Sequence, residues 1–479
     1  MFCAEFCASW RLYGRVVGGL ALALSIGTGV VQGAERPAIP NTPTLSKIDV
    51  DLLDDISRRS FHYFWEQASP RTGLVFDRAV TIGKTEDDRQ NPVASVAATG
   101  FGLAAVCIAQ DHRWIGREAA RERVVTTLRF LAHESPQEHG WFYHFLDADS
   151  GVRAWHSEVS SIDTALLLAG VLTVRQCLED DPEIVNLANT IYARVDFPWM
   201  MDGNSTHFSH GWTPENGFLP YRWDTYSELL ILYVLGIGSP THPIPVDTWG
   251  TWKLPVVESG GNTYIGGGPL FIHQYSQAWL DLRDRARAAP SVTEPSARAP
   301  SSSPLSVDYY ANSVTATRAQ RAYFISLSSH FKGYSPDVWG ITASDSAKGY
   351  TDWGAPDHPR IDGTVVPSAA AGSLMFTPDI CIPAMRTMLL KYGKSIYGRY
   401  GFADAFNPES GWVSPYVIGI DAGITLLSAE NLRTGRVWHW FMANAAPEHA
   451  LDLVGLKRLN PEPAKIDRAT PGDSVHTIQ

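Results

Sequence analysis

The sequence predicts an all-α fold: a double-ring helical toroid of the (α/α)6 type, with short β-hairpins in its loops. Three observations predict it. Apolar residues recur at i, i+3, i+4 spacing, or in long mixed apolar runs, in about eleven segments, close to the two rings of six that such a toroid holds. Strand-like alternation is scarce. The segments also differ in character: some are apolar nearly all round, as inner helices must be, and others carry a charged face.

Helices are expected near 54–67, 94–109, 116–133, 160–178, 182–195, 224–236, 270–287, 306–327, 377–392, 421–432 and 434–443. Segments 94–109 (ASVAATGFGLAAVCIA), 160–178, 224–236 and 421–432 read as inner helices, and 116–133 (GREAARERVVTTLRFLAH) as an outer one. Loops rich in Gly, Pro, Trp and Asp separate them, with hairpins expected near 140–156 and 250–266. Residues 16–31 (VVGGLALALSIGTGVV) follow Arg11 and Arg15 and end in small residues, so 1–34 reads as a secretory signal. A Pro-rich lead-in covers 35–49, and the domain is expected over 50–456, with a Pro/Ser/Ala-rich insertion at 288–305. The tail, 457–479, is expected to be disordered. The destination is then periplasmic or secreted, with no stable membrane insertion once the signal is removed.

Composition narrows the chemistry. Lys+Arg 39 against Asp+Glu 50 gives a net charge of −11, which speaks against a nucleic-acid partner. Sixteen Trp, 18 Tyr and 19 Phe in 479 residues are more rings than a core of this size needs, and suit a cleft lined with flat surfaces. Cys107, Cys177 and Cys381 each sit in an apolar run without CxxC spacing. They read as buried free thiols, with no zinc site and no disulfide framework. No P-loop, nucleophile elbow or HExxH pair occurs, so no metal or other cofactor is expected. A monomer is expected.

Three apolar helices begin with an acid. Asp163 precedes TALLLAGVL, Glu228 precedes LLILYVL, and Asp421 precedes AGITLLSAENL. The inner helices of an alternating toroid run parallel, so their N-termini meet at one mouth. Carboxylates gathered there suit glycoside hydrolysis: one protonates the leaving oxygen, another activates water. Each also fits a capping role, since Ser160-x-x-Asp163 and Thr225-x-x-Glu228 match capping boxes and Asp421 could be an N-cap. A helix N-terminus lowers a carboxyl pKa, so Glu228 would need burial, or Asp224 or Asp163 close by, to stay protonated near neutral pH. Residues suited to stacking on and hydrogen bonding sugars cluster before these starts: Trp155, His156 and Glu158; Tyr221, Arg222, Trp223 and Tyr226; Trp412 and Tyr416. Other loop clusters are Asp77-Arg78, His273-Gln274-Tyr275, and Trp339 with Asp345.

Several stretches resemble the bacterial glucoamylase-like family that contains the endo-β-1,2-glucanases of glycoside hydrolase family 144. They include FHYFWEQASPRTGLVFDR (61–78), SSIDTALLLAG (160–170), RWDTYSELLILYVLGIGSPTHPI (222–244), GGPLFIHQYSQAWLDLRD (267–284) and YVIGIDAGITLLSAENLRTGRVWHWFM (416–442). The resemblance spans roughly 50–445 with the blocks in order. It implies an (α/α)6 barrel and inverting hydrolysis of β-1,2-linked glucose chains. On that likeness Glu228 is the proton donor, Asp421 activates water directly or through a relay, and Asp163 stands where endo-glucanases of the family carry Glu. The family's DxxxDxxE pattern is missing here: His156 and Ser160 occupy the matching places, with Glu158 close by. That departure leaves open which carboxylate is the base, and with it the linkage. The partner implied is a glucan oligosaccharide or polysaccharide. An exo-acting β-glucosidase, another glucan hydrolase on the same barrel, a polysaccharide lyase and a non-catalytic periplasmic glycan-binding protein are the alternatives.

Overall fold

The computed structural model describes residues 45–80, 92–287, 307–354, 356 and 360–458. The expected signal, most of the lead-in, the 288–305 insertion and the tail after residue 458 lie outside the described residues.

Helix α1 (Lys47–Glu66) opens the domain, capped by Ser46, and packs against α2 (Val96–Asp111). Every residue of α2 from Val96 to Ala109 is buried, as an inner helix requires. The outer α3 (Arg117–His133) buries Val124, Leu128 and Leu131 and turns its charged face outward. Next come inner α4 (Ser161–Cys177) and outer α5 (Pro182–Ala193), which pack on each other. The short α6 (Phe197–Met200) precedes α7 (Leu230–Ile237), buried along its whole length. Helices α8 (Phe271–Gln274), α9 (Tyr309–Ser326), α10 (Pro367–Ala371), α11 (Pro378–Ile396), α12 (Gly419–Arg433), α13 (Arg436–Met442) and α14 (Ala445–Leu453) complete the set. Helices α2, α4, α7 and α12 and the 271–278 segment pack neighbour to neighbour as an inner ring.

Two glycines let the ring close tightly. A Cβ on Gly100 would stand 2.3 Å from the Leu166 carbonyl oxygen, and one on Gly170 would stand 2.1 Å from that of Gly100. Helices α2 and α4 therefore touch backbone to backbone, which only glycine permits.

Short antiparallel pairs rim the toroid. Strand β1 (Arg78–Val80) pairs with β16 (Tyr416–Ile418), which runs straight into α12. Strand β2 (Val93–Ser95) leads into α2 and pairs with β5 (Phe145–Asp147). Strand β6 (Val159–Ser160) leads into α4 and pairs with β7 (Gly211–Thr213). The expected hairpin near 250–266 is β9 (Val256–Ser259) with β10 (Asn262–Ile265).

Three expectations are corrected. The helix expected over 224–236 starts only at Leu230, because the Asp224 and Tyr226 backbones bond with Lys253 instead of propagating a helix. The expected 270–287 helix breaks into α8, a 3-10 turn over Ser276–Ala278 and a strand, β11 (Arg285–Arg287). Its polar side chains bind elsewhere: Gln277 donates to Ser313 at 2.7 Å, and Arg285 donates to the Leu456 carbonyl and to both oxygens of Glu448. Finally, Cys107 and Cys177 are not free thiols. They form a disulfide with Cα atoms 6.1 Å apart, joining the ends of α2 and α4 opposite their N-termini. Cys381 is a buried free thiol, as read from the sequence.

Candidate active site

The junction of β16 and α12 builds one part of the site. The Gly419 N–H, one of the donors a helix start leaves unpaired, bonds the Asp77 carbonyl at 2.7 Å. Arg78 then reaches Asp77 at 3.0 Å and Asp345 at 3.4 Å, and lies over the Tyr416 ring at 5.4 Å. Burial works against the Arg78 charge, but Asp77, Asp345 and Asp404 outweigh it and hold the guanidinium firmly protonated. Asp345 accepts from the Ser414 hydroxyl at 2.9 Å, and its own N–H donates to Asp404 at 2.7 Å. Asp404 faces Asp421, in the first turn of α12, and both are buried. Burial raises both carboxyls, and the pair accommodates a shared proton.

Glu228 lies in the turn just before α7. Burial pushes its carboxyl up to about 7; the bond from its own backbone N–H opposes this and the negative Asp163 adds to it. Asp224, the other neighbour expected to act on it, is instead tied to Lys253 at 2.7 Å. Ser160 caps the Asp163 N–H, as predicted from Ser160-x-x-Asp163, but the Asp163 carboxylate accepts the Ser160 hydroxyl at 2.5 Å, so only the N-cap half of the box forms. The box at Thr225 does not: Thr225 donates to Asp224, and α7 has no side-chain cap. His144 stands between two acids, 2.9 Å from Glu158 and 3.5 Å from Asp163, and lies flat on Phe145. Burial disfavours its charge, yet Asp163 and Glu158 prevail and carry it up to about 9.

Tyr275 links the two sets of acids. Burial lifts its phenol well above the usual range, and the charges of Asp421, Glu228 and Asp404 all add to the effect. Asp77 likewise acts on Asp163, His144 and Asp421. Glu228, Asp163 and Asp421, brought from distant parts of the chain, thus lie within electrostatic reach of shared neighbours.

Other candidates lie elsewhere. Trp155 is 52% exposed and packs on Phe145; with His156 it sits at an outer loop where both residues have positive φ. Tyr221 lies at the rim against His210, and Arg222 turns away to Asp202 at 2.7 Å. Trp412 is half-buried in β15 (Trp412–Val413). Five candidates are core residues whose groups are already engaged. Trp223 stacks on His210 and donates to Ser161; Tyr226 stacks on Tyr309; His273 packs between Tyr226 and Tyr264. Gln274 donates to Ser373 and the Ala369 carbonyl, and Trp339 is fully buried. Three residues of the site were missed in the sequence: His144, Tyr350 and Asp404. Tyr350 is lifted well above the phenol range by burial and by Asp421, Asp404 and Asp77. The available signal for Asp404 was one acid in the otherwise apolar stretch Phe402–Phe406.

The family model described as "Putative glucoamylase" matches residues 220–445, which include both Glu228 and Asp421. The glucoamylase-like resemblance is borne out. The chain is 27% identical over 449 residues to an exo β-1,2-glucooligosaccharide sophorohydrolase (non-reducing end) of Parabacteroides distasonis. That match covers 86% of this chain and 58% of the relative, so the chain spans well under two thirds of that protein. Among solved structures, an endo-β-1,2-glucanase of Chitinophaga pinensis, in complex with sophorotriose and glucose, aligns with a TM-score of 0.76 at 27% identity. It covers 86% of this chain and 99% of its own. A glucoamylase-like protein of Bacteroides uniformis aligns equally well, TM-score 0.76 at 27% identity, covering 87% and 99%. The chain therefore has the helical toroid expected from its sequence.

Proposed function

We propose that this chain is an exported, inverting glycoside hydrolase that cleaves β-1,2-glucan or related β-glucan oligosaccharides. The observation that carries the reading is Glu228: a carboxyl buried enough to stay protonated near neutral pH, sharing the neighbour Tyr275 with a second buried acid, Asp421. Glu228 protonates the glycosidic oxygen as the bond to the anomeric carbon breaks. Water attacks that carbon from the opposite face and gives its proton to Asp421, directly or through a relay. Arg78 and His144 remain charged and hold the carboxylates around the site in place, with Tyr350 and Tyr416 as flat surfaces. The Cys107–Cys177 disulfide supports export, since such bonds persist in oxidising compartments.

The test is a Glu228→Gln variant assayed for reducing ends released from β-1,2-glucan. Loss of the acid step should lower turnover by on the order of 10²–10⁴-fold, and wild-type-like turnover would overturn the role. The likeness to an exo-acting sophorohydrolase favours a second reading, release of short units from one chain end. Product sizes early in digestion separate the two: a ladder of lengths supports endo action, and a single short product supports exo action.

A further inference from the structure

Among the groups of the site, Asp404 has no part in the chemistry proposed above, yet it is the most constrained. Its backbone N–H bonds the Tyr416 carbonyl at 2.9 Å, and the Ser414 N–H bonds the Ala405 carbonyl at 2.8 Å. These bonds fasten the 403–405 segment along β16 and so fix Asp404 relative to the first turn of α12. The side chain is 2% exposed. Its Oδ2 accepts the Asp345 N–H at 2.7 Å. Its Oδ1 is buried, with no hydrogen-bond partner apart from the facing Asp421 carboxyl. Behind the pair lies a small cavity lined by Ser60, Ser368, Tyr400 and Thr425 together with both acids.

Two carboxyls buried against each other cannot both be ionised. Asp421 lies in the first turn of α12, where the helix start favours negative charge, so the proton falls to Asp404, whose buried Oδ1 has no other hydrogen-bond partner to serve. We propose that Asp404 is a positioning residue for the base: in its neutral form it donates from Oδ1 to Asp421, keeping that carboxylate ionised and in place. This rests on the reading of Asp421 as base. The charged and titratable groups facing the pair are Asp345 and Tyr350 from the loop between α9 and α10, Asp77 just before β1, Arg78 in β1, and Tyr275 from the inner ring. Only Arg78 is cationic, and it is already claimed by Asp77 and Asp345. Arg78 therefore cannot replace the donor that Asp404 supplies, which leaves Asp421 with Asp404 and the neutral Ser368 side chain.

The experiment follows kcat/KM on β-1,2-glucan against pH for the full chain and for Asp404→Ala, Asp404→Asn and Asp421→Asn. In Asp404→Ala the base loses a hydrogen bond to a charged group, so the acid limb should move up by about one to two pH units. Activity near pH 5 should then fall tenfold or more. Asp404→Asn keeps a donor and should hold the acid limb near its wild-type position. A purely structural role would lower activity in both variants at every pH and leave the limb in place. Wild-type-like turnover by Asp421→Asn would overturn the reading of the base. An inactive Asp421→Asn with an unmoved acid limb in Asp404→Ala would overturn only the role of Asp404. Should Asp404→Ala fail to melt cooperatively, infrared spectra decide. In a Glu228→Gln background at pH 7, the carbonyl band of a protonated carboxyl should vanish on adding Asp404→Asn, and a band unchanged by that substitution would overturn the proposal.

Discussion

Replacing Glu228 by Gln should stabilise the fold at alkaline pH while abolishing turnover. The wild-type carboxyl rises from 4.5 to about 7 on folding, chiefly through burial. Because its folded value lies above its unfolded one, the native state holds the proton more tightly. Its contribution to stability is fully present below about pH 4.5 and lost as pH rises through about 7. Above that the native protein carries a buried carboxylate, and the shift of roughly 2.5 units corresponds to about 3 kcal/mol. Gln has nearly the same shape and never ionises. At pH 8 the variant should therefore exceed wild type by about 3 kcal/mol, or about 4 °C in Tm for roughly 400 ordered residues. At pH 4 the two should melt together. Scanning calorimetry of both proteins between pH 4 and 9 is the assay. Equal Tm values at pH 8, or a variant less stable there, would refute the claim that Glu228 is held neutral by its surroundings. Wild-type kcat/KM should also fall about tenfold per pH unit above pH 7, as the acid is lost.

Two further outcomes follow from the same interactions. His144 rises from 6.5 to about 9 between Asp163 and Glu158, so its stabilisation is present below pH 6.5 and lost as pH rises through 9. His144→Gln should then cost about 3 kcal/mol in urea unfolding at pH 6 and almost nothing at pH 9.5; a gap independent of pH would contradict it. The Cys107–Cys177 bond closes a loop with a sequence separation of 70, for which chain entropy gives about 4 kcal/mol. The Cys107→Ala/Cys177→Ala protein should unfold at a correspondingly lower urea concentration, and fully reduced wild type should coincide with it.

The framework was legible because it rests on long, strongly patterned segments. Helices α2, α4, α7 and α12 are apolar on every side, and no surface helix would be. Ser160-x-x-Asp163 was legible as a cap because three residues fix the geometry locally. Asp77, Arg78 and Asp345 were singled out as loop clusters and meet around one guanidinium. What stayed hidden depends on contacts between distant residues. His144 acts through acids 14 and 19 positions away, and Asp404 matters only because β16 delivers Asp421 beside it. Cys107 and Cys177 meet because α2 and α4 lie backbone to backbone at glycines, a closeness that periodicity does not encode. The aromatic residues misled for a related reason: Trp223 and Trp339 look the same in sequence whether they line a groove or fill a core.

Glu228 and Asp421 look alike in the sequence, each an acid just before an apolar helix, yet their surroundings give them opposite chemical tendencies. Asp421 lies inside the first turn of α12, where a helix start stabilises negative charge by about 0.3–1 kcal/mol, and it has Asp404 as a donor. Glu228 lies outside α7, which begins with Leu229 as its cap and has no polar capping side chain. The Asp224–Lys253 backbone pairing that delays α7 keeps the Glu228 carboxyl out of the first helical turn, in a buried position. There the burial term, about 3 kcal/mol, exceeds any help a helix dipole could give the anion. A late start to one helix and an early acid in another thus separate two carboxyls into a proton donor and a proton acceptor. If α7 were extended back to Thr225 as its cap, Glu228 would fall in its first turn and the donor would be lost at neutral pH. A Lys253→Pro variant, which removes the N–H bonding Asp224, should for that reason lower the pH above which activity declines, and an unchanged alkaline limb would show that the delayed helix start is not what holds the Glu228 proton.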